Sequence, residues 1–224
     1  MKSIITAIAA ATVLSFAGQS SAMTLSGDVN MIFAPASVQE NARTNNRRAL
    51  LFTEQANATL ASSMNVEAFL PGVYDGSSAA ATGRTLAAGR TVTSYMLHAD
   101  VSQNARTPKR MSGSITFNDK ILGVIFGNFT ASDALVGAAG TAYETKVGHG
   151  LDLSDPNGDG FRISNNRMRL DFDFLVSGIT DQIRIITAGN APLAIQENPI
   201  PEPVTPALLA MGLGSLALRR RHTA

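Results

Sequence analysis

The sequence predicts an all-β fold, an antiparallel β-sandwich of jelly-roll-like wiring, flanked by an N-terminal signal helix and a short C-terminal hydrophobic helix. Three observations lead there. Apolar residues in the body recur with a period of two, the repeat of a strand that buries one face. Clusters of Gly, Asn and Asp interrupt these runs at short intervals, as turns between antiparallel strands require. The chain has no cysteine, so disulfides, zinc–thiolate sites and cysteine nucleophiles are excluded together and stability has to come from packing. A body of this size buries roughly 70% of its unfolded surface, enough for one domain with one core.

In chain order, Lys2 precedes an apolar stretch over residues 4–17, and Ser20-Ser21-Ala22 places Ser20 and Ala22 at the −3 and −1 positions of a cleavage site. That pattern predicts a signal peptide over residues 1–22 and names signal peptidase as a partner. Residues 49–60 fit a strand or a short helix, and the periodicity leaves both open. Residues 71–90, rich in Gly, Ser, Ala and Thr, predict a long surface loop. Residues 91–101 set Tyr95, Leu97, Ala99 and Val101 against Ser94, Met96, His98 and Asp100, which predicts a strand with one polar face. Shorter strands are expected at Ile115 to Phe117, Ile121 to Phe126 and Ile183 to Ile186, with a turn at Asn118-Asp119. Over residues 169–176, Leu170, Phe172 and Phe174 alternate with Arg169, Asp171 and Asp173. The predicted organisation is thus a signal peptide (1–22), a β-sandwich ectodomain (23–190), a linker rich in Pro, Asn and Gln (191–200) and a distinct C-terminal segment (201–224).

The formal charge of +1 depends on both ends. Without Lys2, Glu202 and Arg219 to Arg221 the remainder carries 14 basic and 16 acidic side chains and is close to −2. The basic excess therefore belongs to the terminal segments and forms no basic face, and nucleic acid is not expected as a partner.

The C-terminal segment reads Pro201-Glu202-Pro203, then an apolar run over residues 204–218, then Arg219-Arg220-Arg221. As a helix the run would span roughly 22 Å against ~30 Å of hydrocarbon, and Pro206, Gly212 and Gly214 weaken it further. The arginines would hold its end on the cytoplasmic side. This three-part order closely resembles the PEP-CTERM sorting signal of Gram-negative bacteria. The resemblance implies an exosortase-type membrane protease acting near Pro201-Glu202-Pro203, and delivery to the cell surface or extracellular matrix. Within the body, Ser94 to Asp100, Gly113 to Phe117 running into Ile121 to Ile125, and Asp181 to Thr187 resemble blocks of a recurring bacterial ectodomain that often precedes such tails. That likeness implies the sandwich and the export route and carries no activity. Asn118-Asp119-Lys120 stands where the pattern has a shorter turn.

One constellation has chemical content. Asp155, Asn157 and Asp159 with Gly160 place oxygen ligands at alternate positions before a glycine, like the start of a calcium loop. Asp152 and the Phe161 carbonyl would complete the shell. The twelfth position, Asn166, lacks the usual bidentate carboxylate, and the same residues equally describe a polar turn between strands. Catalytic patterns are weaker. His149 beside Tyr143 and Glu144 sits in a Gly-flanked loop, and Asp171 with Asp173 face one side of one strand, which cannot bracket a sugar ring. With no tryptophan and three tyrosines, aromatic sugar platforms are scarce, leaving Tyr74 and Tyr143 as contacts. The expected function is a non-catalytic structural or adhesive surface protein. A calcium-assisted exopolysaccharide-binding module is the alternative, and a secreted hydrolase ranks third.

Overall fold

The computed structural model describes residues 23–76, 83–102, 107–145, 150–153, 158–177 and 180–190. The signal-peptide positions Ser20 and Ala22, the sorting positions Pro201, Glu202, Pro203, Arg219, Arg220 and Arg221, and Asp155, Asn157 and His149 lie outside them. Among the described residues no helix is long and apolar enough to cross a membrane.

The fold is all-β. The first five-stranded sheet has the order β1 (Thr24–Gly27), β8 (Lys109–Thr116), β11 (Arg169–Val176), β10 (Gly160–Ile163), β5 (Gly72–Tyr74), antiparallel throughout. The second has the order β2 (Val29–Met31), β3 (Ala49–Thr59), β7 (Thr91–Ala99), β12 (Asp181–Ala188), β9 (Ile121–Ile125), with β2 parallel to β3 and the other pairs antiparallel. A small ribbon pairs β4 (Met64–Val66) with β6 (Arg84–Leu86), and one short helix, α1, spans Thr130–Val136. Residues 49–60, open in the sequence, are the long strand β3. Its register slips between Thr53 and Gln55 and again between Gln55 and Ala58, and Asn57 has φ 54°. Asn tolerates that left-handed geometry better than most residues. Beyond Leu51 no described strand pairs with the outer edge of β3.

The main core draws side chains from both sheets. Met111, Ile115, Leu170, Phe172 and Phe174 come from the first, and Leu51, Tyr95, Leu97, Ile183 and Ile185 from the second. Each large apolar side chain so buried contributes about 1.5–3 kcal/mol. Strand β11 follows its sequence pattern, with the phenylalanines inward and Asp171 and Asp173 outward.

Strand β7 does not. Its supposed polar phase, Ser94, Met96, His98 and Asp100, is buried, because a second apolar cluster covers the outer face of that sheet. Phe52, Met96 and Ile186 of the sheet pack there with Met64, Val66 and Leu86 of the ribbon and Val136 of α1. Gly123 in β9 lets the ribbon close down, since a Cβ at that position would stand 2.3 Å from Val66 Cγ2. The expected surface loop over residues 71–90 is also corrected. It contributes β5 to the edge of the first sheet and β6 to the ribbon, through Gly72-Val73-Tyr74 and Arg84-Thr85-Leu86. Tyr74 inserts its ring into the core.

Candidate functional site

The outer face of the first sheet carries an open groove of about 460 Å³ where β10, β11 and β5 meet. Its walls are charged: Asp75, Arg110, Arg162, Asp171 and Asp173, with Val73 as an exposed apolar member, Phe161 and Phe172 lining it as buried ones, and Asp159 also in the lining. The alternation of β10 and β11 explains the set, because Phe161, Phe172 and Phe174 take the inward positions and leave the charged residues outside. Arg162 stands directly across from Asp171 in the ladder. Arg110 Nη1 lies 2.5 Å from Asp173 Oδ2, and Arg169 Nη2 lies 2.6 Å from Asp171 Oδ1. Both pairs are half exposed, so each contributes about 0–1 kcal/mol. Asp171 and Asp173 are thus each engaged by an arginine on one flat face.

Beneath the groove the loop before β10 turns inward. Asp159 is buried, its Oδ2 accepting the Asp152 N–H at 3.1 Å and its Oδ1 the Leu175 N–H at 2.7 Å. These bonds clip the loop to β11. Asp181, the first residue of β12, meets the Asp159 carboxyl from the other side. Burial, and then the Asp159, Asp100 and Asp152 charges, push Asp181 up to about 8, so near neutrality it holds a proton and donates it to Asp159. Burial also raises Asp159, although its two main-chain donors and Asp181 work against the rise.

This geometry bears on the calcium loop. Of its five expected ligands, Asp152, Asp159 and Phe161 are described. Asp159 faces the interior with both oxygens engaged by main-chain N–H groups, and Phe161 sits in β10 paired on both sides, with its main chain inside the sheet. Among the described residues no group of three or more His, Asp or Glu side chains is placed to hold a metal ion. If a cation nevertheless binds with Asp155 and Asn157, affinity of about 10⁻⁴ to 10⁻³ M is the usual range for such extracellular sites. At ten times the dissociation constant it would add about 1.4 kcal/mol, or about 2–4 °C in melting midpoint, relative to chelator. Asp155→Ala should abolish that shift, and an equal shift in this variant would remove the loop from consideration.

The tyrosines expected as free contacts are committed to packing. Tyr74 stacks on Phe161 with ring centroids 4.7 Å apart and donates to the Leu70 carbonyl, and the Tyr143 hydroxyl accepts the Ala138 N–H at 2.6 Å. His98 is fully buried, 3.2 Å through Nε2 from the Arg43 carbonyl, and its burial lowers its pKa to about 4. It is neutral at physiological pH.

A second polar cluster, largely buried, lies between the other sheet and α1, and the sequence reading missed it. Arg184 of β12 is fully buried. Its Nε lies 2.7 Å from Glu54 Oε2 and its Nη2 lies 2.6 Å from Glu54 Oε1, a two-pronged pair, with a further bond of 2.7 Å from Nη2 to Asp133 Oδ1. Ser132 accepts from Nη1, and Ser94 donates to Glu54 at 2.5 Å. The guanidinium also lies over the Tyr143 and Phe129 rings. Burial alone would weaken its hold on the proton, but Glu54 and Asp133 reverse this and keep it charged. Part of the signal was present: Glu54 is the one charge in β3, and Arg184 stands between Ile183 and Ile185 in β12, where a charge needs a partner. A search of protein-family models, characterised proteins and solved structures found no match to this chain.

Proposed function

We propose that the protein is an exported, non-catalytic component of the cell surface or extracellular matrix with a structural or adhesive role. In this reading the two sheets form an antiparallel sandwich with jelly-roll-like wiring. Signal peptidase removes residues 1–22, and an exosortase-type membrane protease acts near Pro201-Glu202-Pro203. The observation that carries it is the order of the terminal segments, an apolar leader with small residues at Ser20 and Ala22 and a Pro-Glu-Pro, apolar, triple-Arg tail, around a body without cysteine. The body supports a non-catalytic role because Asp171 and Asp173 are taken up in ion pairs and His98 is buried under a second layer. The competing reading, a calcium-assisted exopolysaccharide-binding module, is favoured by the open charged groove over β10 and β11.

Intact-mass measurement of the protein recovered from the cell surface or medium tests the main reading. The expected species lacks residues 1–22 and most residues beyond Pro203. Recovery of a chain ending at Ala224 would overturn it. Deleting Arg219 to Arg221 should hold the precursor in the inner membrane.

A further inference from the structure

Where β2 leaves β3, the chain turns an apolar group outward. Phe33 is 97% exposed and Met31 46%, whereas Ile32 between them packs toward the second core cluster. Beside them lies an open groove of about 820 Å³, lined by Met31, Ile32, Phe33, Pro35, Arg43 and Thr53 among others. The segment is fixed on both sides of Phe33. The Ile32 N–H donates to the Leu51 carbonyl at 2.9 Å, the Pro35 carbonyl accepts from Thr141 Oγ1 at 2.6 Å, and the Ala36 carbonyl accepts the Ala142 N–H at 2.9 Å. Phe33 is therefore held out by the fold, and such a ring in water is a cost that contact with an apolar phase would remove.

Cations border this group. Between Met31 and Arg48 the sequence has three arginines, Arg43, Arg47 and Arg48, and one acidic residue, Glu40, in a body that is otherwise slightly acidic. All three arginines are exposed. Arg43 lines the groove itself. Arg48 Nη1 lies 2.7 Å from Asn30 Oδ1, which ties it to the strand that carries Met31. Asn45 orders the loop between them: its N–H donates to the Asp100 carbonyl at 2.7 Å, and its Oδ1 accepts the Arg47 N–H at 3.1 Å and the Arg48 N–H at 3.2 Å. Among the described residues none of the three arginines forms an ion pair.

An exposed ring flanked by arginines matches a surface that is anionic at its face and apolar beneath. We propose that Phe33 and Met31, with Arg43 and Arg48 at their side, form a docking face for an anionic phospholipid bilayer. Phe33 enters among the acyl chains, and the exposed guanidinium groups hold lipid phosphates, whose oxygens their forks match in geometry as well as charge. Charge decides against a second copy as the occupant. A two-fold interface sets the same patch against itself, which here would bring arginine toward arginine. The inference goes beyond the surface role proposed above and does not depend on removal of either terminal segment.

The chain has no tryptophan, so Phe33→Trp supplies a probe that reports on this position alone, whatever the terminal segments do. The full-length variant is reconstituted with vesicles of phosphatidylcholine carrying brominated acyl chains, with or without phosphatidylglycerol. With phosphatidylglycerol the emission should shift to the blue and be quenched by bromine; in phosphatidylcholine alone it should do neither, and added salt should restore it. Adding Arg43→Gln and Arg48→Gln should lower the ratio of quenched to unquenched protein about tenfold or more. Arg90→Gln with Arg162→Gln makes the same change of charge at two other exposed arginines and should leave that ratio unchanged. Val73→Trp, at a site 45% exposed on the edge of the first sheet, should stay unquenched, and far-UV circular dichroism checks that each variant is folded. Absence of quenching at position 33 with phosphatidylglycerol, or equal quenching at position 73, overturns the proposal. Equal weakening in the Arg90 and Arg162 control reduces the effect to net charge and overturns it, as does quenching that ignores the loss of Arg43 and Arg48. A blue shift that appears without vesicles and grows with protein concentration assigns the face to a second copy and overturns it too. Because the probe reads position 33 with both termini in place, failure here is distinct from recovery of an unprocessed chain ending at Ala224.

Discussion

Arg184→Met, with Glu54 and Asp133 left in place, is expected to destabilise the protein by about 3–5 kcal/mol, because it strands a buried carboxylate. For a domain of this size that is a fall in melting midpoint of about 10 °C or more. The large effect is a property of the unmatched partner. Glu54 Oε1 and Oε2 are each bonded to the guanidinium, and the Ser94 and Tyr143 hydroxyls, which are neutral donors, would remain to meet them. Removing both members, as in Arg184→Met with Glu54→Leu, should recover most of the loss, since a well-packed apolar replacement of a buried pair is often close to neutral. Chemical denaturation of the two single variants and the double variant gives the coupling energy directly. A double variant as unstable as the sum of the singles would mean that the pair is not coupled.

Asp181→Asn is expected to stabilise the protein above neutrality and to change the shape of its pH profile. The folded-state pKa of Asp181, about 8, lies above its ordinary value of 3.8. A raised pKa means that the folded state holds a proton the unfolded chain has released. Its stabilising contribution is therefore full below about pH 4 and is lost as pH rises to about 8. The amplitude is on the order of 6 kcal/mol. Asparagine keeps a donor toward Asp159 and carries no charge against Asp100 or Asp152. The parent should lose stability between pH 6.5 and 8, where the variant should be flat. His98 works in the opposite sense: its folded value of about 4 lies below its ordinary 6.5, so its contribution is lost as pH falls through that window. In the parent the two slopes oppose each other between those values. In Asp181→Asn the acid side should therefore steepen. Urea midpoints at pH 5, 6.5 and 8 decide it, and parallel profiles for parent and variant would remove the shared proton.

Much of the sheet framework was legible in the sequence, for a definite reason. Strands β11 and β12 carry contiguous apolar residues on one phase, and one buried face is enough to write that pattern. The second layer was not legible. Ser94 and His98 look like a solvent face until their partners arrive from far along the chain, Ser94 bonding to Glu54 and His98 meeting the Arg43 carbonyl. Gln182 likewise bonds to the Val38 carbonyl, 144 positions away. Short elements also escaped, for α1 has seven residues and no side-chain cap, and β5 and β6 have three residues each. At the candidate loop the sequence offered Asp159 as an outward ligand. It gave no sign that Asp181, at the head of an apolar strand, would meet it inside.

The two register slips in β3 set a limit on how copies of this protein can join. An unpaired strand edge is a template, and chains crowded into a matrix would tend to extend one another's sheets along it. Here the edge beyond Leu51 is broken twice within a few residues, and Asn57 turns the main chain out of line between the breaks. A neighbouring strand would find its ladder out of phase after one or two bonds. Copies of the protein held at high density can then lie side by side without zipping into fibres through this strand. Cohesion along this edge would then have to come through side chains and not through a continued ladder.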